Sequence, residues 1–278
     1  MSEKKRTETS AQSAVKDSSA FKKFLRLSRT LQFAWFAGHV TTLVASIFCF
    51  ISANQAVYRI AWLGVIESFG IITYQHYASK SKATSEQKGL TPQALLQNGD
   101  VLYFLLALMW FITPKFTLAL VPYAFFSLFH VLIYCKSILL PEVFGLTAEN
   151  SKVVSLIANF VRNFNERCMY WVGSMELNLF LFLALRALLW YPRSWIILVA
   201  YTLFIKIRFE NSKYMQATFA QWRVRFDGAV SHPSIPPVLK RGYGKVKSLL
   251  IQVSQFRLSK PQPAAASAGS KEHSQKAN

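Results

Sequence analysis

The chain has 278 residues, of which 52% are hydrophobic and 15% aromatic, yet it carries a formal net charge of +19. That combination excludes an ordinary water-soluble domain; it fits a chain whose apolar residues face lipid and whose charges stand at the lipid's edges. Three scattered cysteines, Cys49, Cys135 and Cys168, exclude a disulfide framework and a CxxC motif, and are compatible with a reducing compartment.

The first twenty residues are polar and basic (Lys4, Lys5, Arg6, Lys16) and read as a disordered arm, 1–20. The first apolar run, Leu31 to Ile51, holds no charge and no cleavage site, so it reads as a retained signal-anchor helix. At ~1.5 Å per residue its length of roughly 31 Å matches a bilayer core. After a short turn, Ser52 to Gln55, a second segment runs from Ala56 to Ala78, interrupted by Arg59 and Glu67. A polar loop, Ser79 to Gly89, leads to a short amphipathic helix from Pro92 through Asp100.

The third apolar stretch, Val101 to Cys135, is too long for one crossing, and Thr113-Pro114-Lys115 divides it into a short arm and a full one. Lys136 to Arg167 reads as a soluble, mixed segment. A last pair follows, Met169 to Trp190 and Trp195 to Ile207, joined by Tyr191-Pro192-Arg193-Ser194. Trp190, Tyr191 and Trp195 flank that turn as an interfacial aromatic belt. The fold class expected is therefore an all-α membrane protein of three helical hairpins within 21–210, some arms short or incompletely spanning.

Basic residues set the orientation. Residues 1–30 hold eight Lys and Arg, 78–100 three, 136–170 four and 206–278 thirteen. The remaining turns hold little more than Lys115 and Arg193. The positive-inside tendency puts the four basic regions, and both termini, in the cytosol.

Residues 211–260 read as basic amphipathic helices at the membrane surface. One stripe is Met215, Phe219, Trp222, Phe226 and Val230, at i, i+4, i+7, i+11 and i+15. His232-Pro233 and Pro236-Pro237 break it. A second stripe is Leu239, Tyr243, Val246, Leu250 and Val253, widened by Leu249, with Lys240, Arg241, Lys245, Lys247 and Arg257 on the other faces. Such a helix beside a membrane domain lies on an anionic lipid surface, packs on its own bundle, or meets a protein partner; an import receptor would compete for the same lysines. The Ala/Ser/Pro/Gln-rich stretch 261–278 reads as disordered.

Ionisable residues inside apolar segments are functional candidates: His39, Glu67, His130, Glu176 and Arg186. Glu67 lies nearest mid-membrane. His130 lies near the cytosolic end of its segment, Arg186 within snorkelling reach of the lumenal face, and Glu176 within reach of Asn178 or a neighbouring helix. Each is either satisfied inside the bundle or takes part in ligand or proton handling. Gly64 and Ser68 form a small-xxx-small pair fit for a helix contact. No metal-ligand spacing, nucleophile motif or phosphate-cradling glycine loop is present, so no enzyme, metal or cofactor is expected. The basic residues are spread over the membrane-flanking regions, which argues against nucleic-acid binding.

Tyr123-Ala-Phe-Phe-Ser-Leu-Phe-His-Val-Leu-Ile-Tyr134 with Lys136 after it, Leu95-Leu96-Gln-Asn-Gly-Asp100 with Tyr103, Glu176, and the ordered tail from Tyr214 to the last basic helix resemble the transmembrane protein 33/Pom33 family, of fungal type. The resemblance covers about Phe21 to Leu258. It implies residence in the endoplasmic reticulum and nuclear envelope, including the nuclear pore membrane, and association with reticulon-type curvature proteins and nucleoporins. It carries no catalytic residue. The expected function is a scaffold for curved membrane that aids pore biogenesis or distribution. The alternatives are a transporter or lipid-handling protein using Glu67, His130 and Glu176, and an adaptor whose tail recruits an import receptor.

Overall fold

The computed structural model describes residues 20–52, 54–83 and 92–258, all of them in helices and their connections, with no strand among them. The arms read as disordered, 1–20 and 261–278, lie outside the described residues except for residue 20, and so does most of the loop at 79–89. After a short helix α1 (20–28) come α2 (Leu31–Ile51), α3 (Gln55–Ala83), α4 (Pro92–Gln97), α5 (Gly99–Ile112) and α6 (Leu120–Tyr134). A π-helical stretch, Cys135–Phe144, extends α6; then follow α7 (Lys152–Leu188), α8 (Ser194–Asn211), α9 (Lys213–Ser231) and α10 (Pro237–Gln255).

Local sequence explains the boundaries. The Thr30 hydroxyl accepts from Phe33 N–H at 3.1 Å and opens α2; Asn98 Oδ1 accepts from Asp100 N–H at 2.9 Å and opens α5. Pro237 stands at the first position of α10, where its missing N–H costs nothing. Gly145, with φ +68°, ends the π-helical stretch in the left-handed region. The turn between α7 and α8 is tight enough to hold Trp190 and Arg193 at φ +57° and +61°.

Four segments are long and apolar enough to cross a bilayer: Leu31–Ile51, Gln55–Ser79, Thr117–Phe144 and Lys152–Leu188. Helix α5, with 14 residues, reaches only ~21 Å and is a short arm. The reversals between α2 and α3, α5 and α6, and α7 and α8 lie at one side of the bundle, called here the turn side: Tyr58 Oη lies 3.5 Å from Trp110 O, and Pro114 and Lys115 share a hollow with Pro192 and Ser194.

Helices α2 and α3 pack most closely. A Cβ on Gly38 would lie 2.9 Å from Gly64 O, and one on Gly64 would lie 2.7 Å from Gly38 O, so only glycine allows this crossing. Thr42 and Ser68, one turn further along each helix, turn their hydroxyls back to Gly38 O and Gly64 O, both at 2.9 Å, so these two buried hydroxyls are satisfied within their own helices. An aromatic core lies on this pair: Trp62 stacks on Trp110, and Tyr123 and Phe69 close around Tyr103.

Two features differ from the sequence reading. The middle hairpin is splayed: α5 lies along α3, and α6 along α2. Its arms meet through side chains, with Tyr123 Oη donating to Tyr103 O at 3.0 Å. The segment 136–167, read as soluble, is largely helical and continuous with its neighbours. Val154 and Val161 are buried, and Phe160 stacks on Phe129 at 5.9 Å, so helical spacing of apolar residues already begins at Val153. The resulting α7 has 37 residues, ~55 Å, far more than a bilayer core requires.

Candidate functional site: a closed polar cluster and a surface hairpin

Four helices converge on Glu176, whose surface is 1% exposed. Tyr103 Oη of α5 donates to Glu176 Oε1, and Arg208 Nε of α8 lies 3.6 Å from Oε2. The Arg208 guanidinium also sits 5.0 Å over the Tyr103 ring. Tyr201 Oη donates to Glu176 O at 3.2 Å. Carboxylate, guanidinium and phenols thus answer one another within a low-dielectric interior. The surrounding Leu106, Leu179 and Phe204 leave no room for a water molecule. The cluster can hold α5, α6, α7 and α8 in register; it offers no cavity for a transported solute.

The other intramembrane candidates fall in separate places. His39, on α2, has Nδ1 3.0 Å from Ser127 Oγ, and its ring lies 4.6 Å from that of His130. Trp35 packs edge-on against both. His130 is therefore mid-span rather than near an end, because the π-helical stretch carries this segment on to Phe144. Arg186 Nε donates to Ser194 Oγ at 3.1 Å and its guanidinium caps the Tyr191 ring, tying it to the turn side. Glu67 points outward from α3, while its neighbour Ser68 faces α2. Among the described residues no three His, Cys, Asp or Glu side chains gather to hold a metal ion.

The tail forms a helical hairpin. Ser212 caps α9, Met215 is fully buried, and Phe219 packs edge-on against Phe209 at 5.2 Å. Further out, Trp222 and Phe226 pack on each other and α9 leaves the bundle. Helix α10 returns along it. Lys247 Nζ donates to both Asp227 oxygens at 2.7 and 2.8 Å, and Tyr243 Oη donates to Oδ1 at 2.8 Å. These hydrogen bonds, Lys247's first, hold the Asp227 carboxyl below its ordinary value. Beyond α10, Leu258 N–H donates to Glu210, which lies 2.9 Å from Lys206 Nζ.

Of the tail residues singled out from sequence, Phe219, Tyr243 and Lys247 face protein here. Leu239 (61% exposed), Val246, Leu250 and Val253 face outward with Leu249, and no residue of α10 is buried. Arg241, Lys245 and Arg257 are exposed beside them, and Lys240 is half-buried. Sequence reasoning missed Arg208, Asp227 and Glu210. The demand of Glu176 for a cation was the one available signal, and it named no partner.

A family model described as transmembrane protein 33/nucleoporin POM33 matches residues 13–255. The chain belongs to the transmembrane protein 33/Pom33 family. It is 48% identical to the pore membrane protein of 33 kDa of Saccharomyces cerevisiae, over 88% of this chain and 91% of that one. It is 30% identical to nucleoporin POM33 of Chaetomium thermophilum, over 80% and 85% of the two chains. A second Saccharomyces cerevisiae relative, the pore and endoplasmic reticulum protein of 33 kDa, is 28% identical over 80% and 89%. No solved structure matches the chain. The family model ends at the last residue of α10, so this Pom33-type chain carries the surface hairpin within its family region.

Proposed function

We propose that this chain is a non-enzymatic protein of the endoplasmic reticulum and nuclear pore membrane that stabilises curved bilayer and supports pore formation or distribution. The observation that carries the reading is α10: its polar side is clamped to Asp227 while its apolar face is left uncovered. A helix so presented, flanked by Arg241, Lys245 and Arg257, inserts its apolar face at the headgroup boundary of an anionic leaflet. The hairpin of α9 and α10 adds volume on the tail side with no counterpart on the turn side among the described residues, which favours positive curvature. The names of the relatives, pore membrane and endoplasmic reticulum proteins, support the location, and residence with reticulon-type proteins and nucleoporins belongs to the same reading. The two termini, in this reading, are cytosolic.

The transporter reading loses ground because the Glu176 cluster is closed. The adaptor reading uses the same exposed cations of α10 and is separated from lipid binding by the test. The full chain, freed of its native cysteines, is reconstituted in vesicles with an environment-sensitive fluorophore at Leu249→Cys. Emission shifts to the blue when anionic lipid is present, and more in small vesicles than in large ones. The shift vanishes in Val246→Asp/Leu250→Asp. An emission insensitive to lipid charge and vesicle size overturns the reading.

A further inference from the structure

Two polar side chains stand on the outer surface of the membrane-spanning helices, away from every contact that satisfies the interior. Glu67 is exposed on α3, with no partner among the described residues. Asn178 is exposed on α7; one amide N–H goes to Ser174 O at 2.9 Å, leaving the other N–H free to donate. An outward carboxyl in a bilayer is costly unless something answers it.

The two lie at matching depth. Glu67 is twelve residues from the turn-side end of α3 at Gln55, and Asn178 ten residues from the turn-side end of α7 at Leu188. At ~1.5 Å per residue these are roughly 18 and 15 Å. The helices run in opposite senses, α3 away from the turn side and α7 toward it. They also belong to different flanks: α3 packs on α2 and α5, α7 on α6, α8 and α9. One chain cannot bring them together, but two chains side by side in the same orientation can.

The stripes around the two residues also agree. With Glu67 opposite Asn178, an antiparallel alignment places Tyr74 opposite Trp171, Leu63 opposite Phe182 and Ile60 opposite Leu185. All six of these apolar or aromatic side chains are exposed. We infer that the outer face of α3 in one copy docks against the outer face of α7 in a second copy, with the Asn178 amide donating to the Glu67 carboxyl. Because the two faces differ, the contact is head-to-tail, and each added copy leaves one face open for the next.

Cross-linking in bilayers tests this in the full chain without its native cysteines. Oxidation joins Ile60→Cys chains to Leu185→Cys chains when the two are mixed, and neither to itself. Glu67→Leu or Asn178→Leu lowers the yield about tenfold, the effect of losing one interhelical hydrogen bond in lipid. Glu67→Gln keeps the yield, because its amide oxygen still accepts. Both leucine variants alter an outer surface, and unchanged helical circular dichroism and melting confirm that they fold. Three results each overturn the inference: self-linking of Ile60→Cys, which means a symmetric α3 pair; a yield indifferent to Glu67→Leu; and monomers at every protein density.

Discussion

Glu176 shows how a single residue can stand out in the sequence while its partner stays open between two candidates, Asn178 and a neighbouring helix, of which the structure takes the second. Asn178, the partner suggested by proximity in sequence, is two positions away on the same helix, and residues so spaced point to different sides. Glu176 turns inward to Tyr103 and Arg208, and Asn178 turns outward. Removing one member of a buried ion pair strands the other. Glu176→Leu is therefore expected to cost about 3 kcal/mol, whereas Glu176→Leu/Arg208→Leu recovers much of it. Melting of the purified chain followed by tryptophan fluorescence checks this; a single variant as stable as the parent means that the pair is not closed. The same logic separates Ser68 from Glu67. Adjacent in sequence, they lie 100° apart around α3, one against α2 and one against the surroundings.

At the scale of elements, the tail is the most legible part and also the one most altered by packing. Both stripes, and the proline break between them, are visible in the sequence, and they correspond to α9 and α10. Which stripe residues remain free is decided by Asp227, an acid that no periodicity singles out. Its carboxyl is held below the ordinary value, so the clamp contributes fully above that value and is lost as the pH falls through the lowered one. Spin labels on Val224 and Ser248 should report one narrow distance at neutral pH and a broad one once the pH drops well below about 3.9, the ordinary aspartate value. Asp227→Asn should broaden it at every pH. A distribution that stays narrow in Asp227→Asn would show that other contacts hold the hairpin. Helix α7 teaches the converse. Its first turns mix Lys152, Arg162 and Arg167 with apolar residues and so read as a soluble, mixed segment, yet Val154 and Val161 keep one face buried.

For the whole molecule, orientation rests on charge, and the fold supplies the geometry that makes it testable. The ends of α2, α5 and α7 share one side, and α10 belongs with the other, where Leu258 beyond it meets Glu210 near the end of α8. In sealed microsomes a membrane-impermeant thiol reagent should label Lys245→Cys directly, and Lys115→Cys only after permeabilisation. Labelling of both from outside would sink the cytosolic-tail topology. The splayed middle hairpin matters at this scale too. Parting α5 from α6 lets Tyr103 and Tyr123 fill the gap, and it brings α5 against α8, where Arg208 reaches the cluster.

Length, apolar runs, turn residues and charge placement by themselves determined that this is an all-helical membrane protein, where most of its helices begin and end, and that its tail is amphipathic. Those properties depend on residues close together in the chain, through helix periodicity, capping and lipid partitioning. Tertiary structure alone decided which helices touch, that Glu176 meets Arg208, that Asp227 gathers Tyr243 and Lys247, and that Glu67 and Asn178 face outward. Those outcomes depend on helix rotation and crossing. A rotation is set by contacts such as Gly38 against Gly64, between residues far apart in sequence, whose mutual fit no local pattern records.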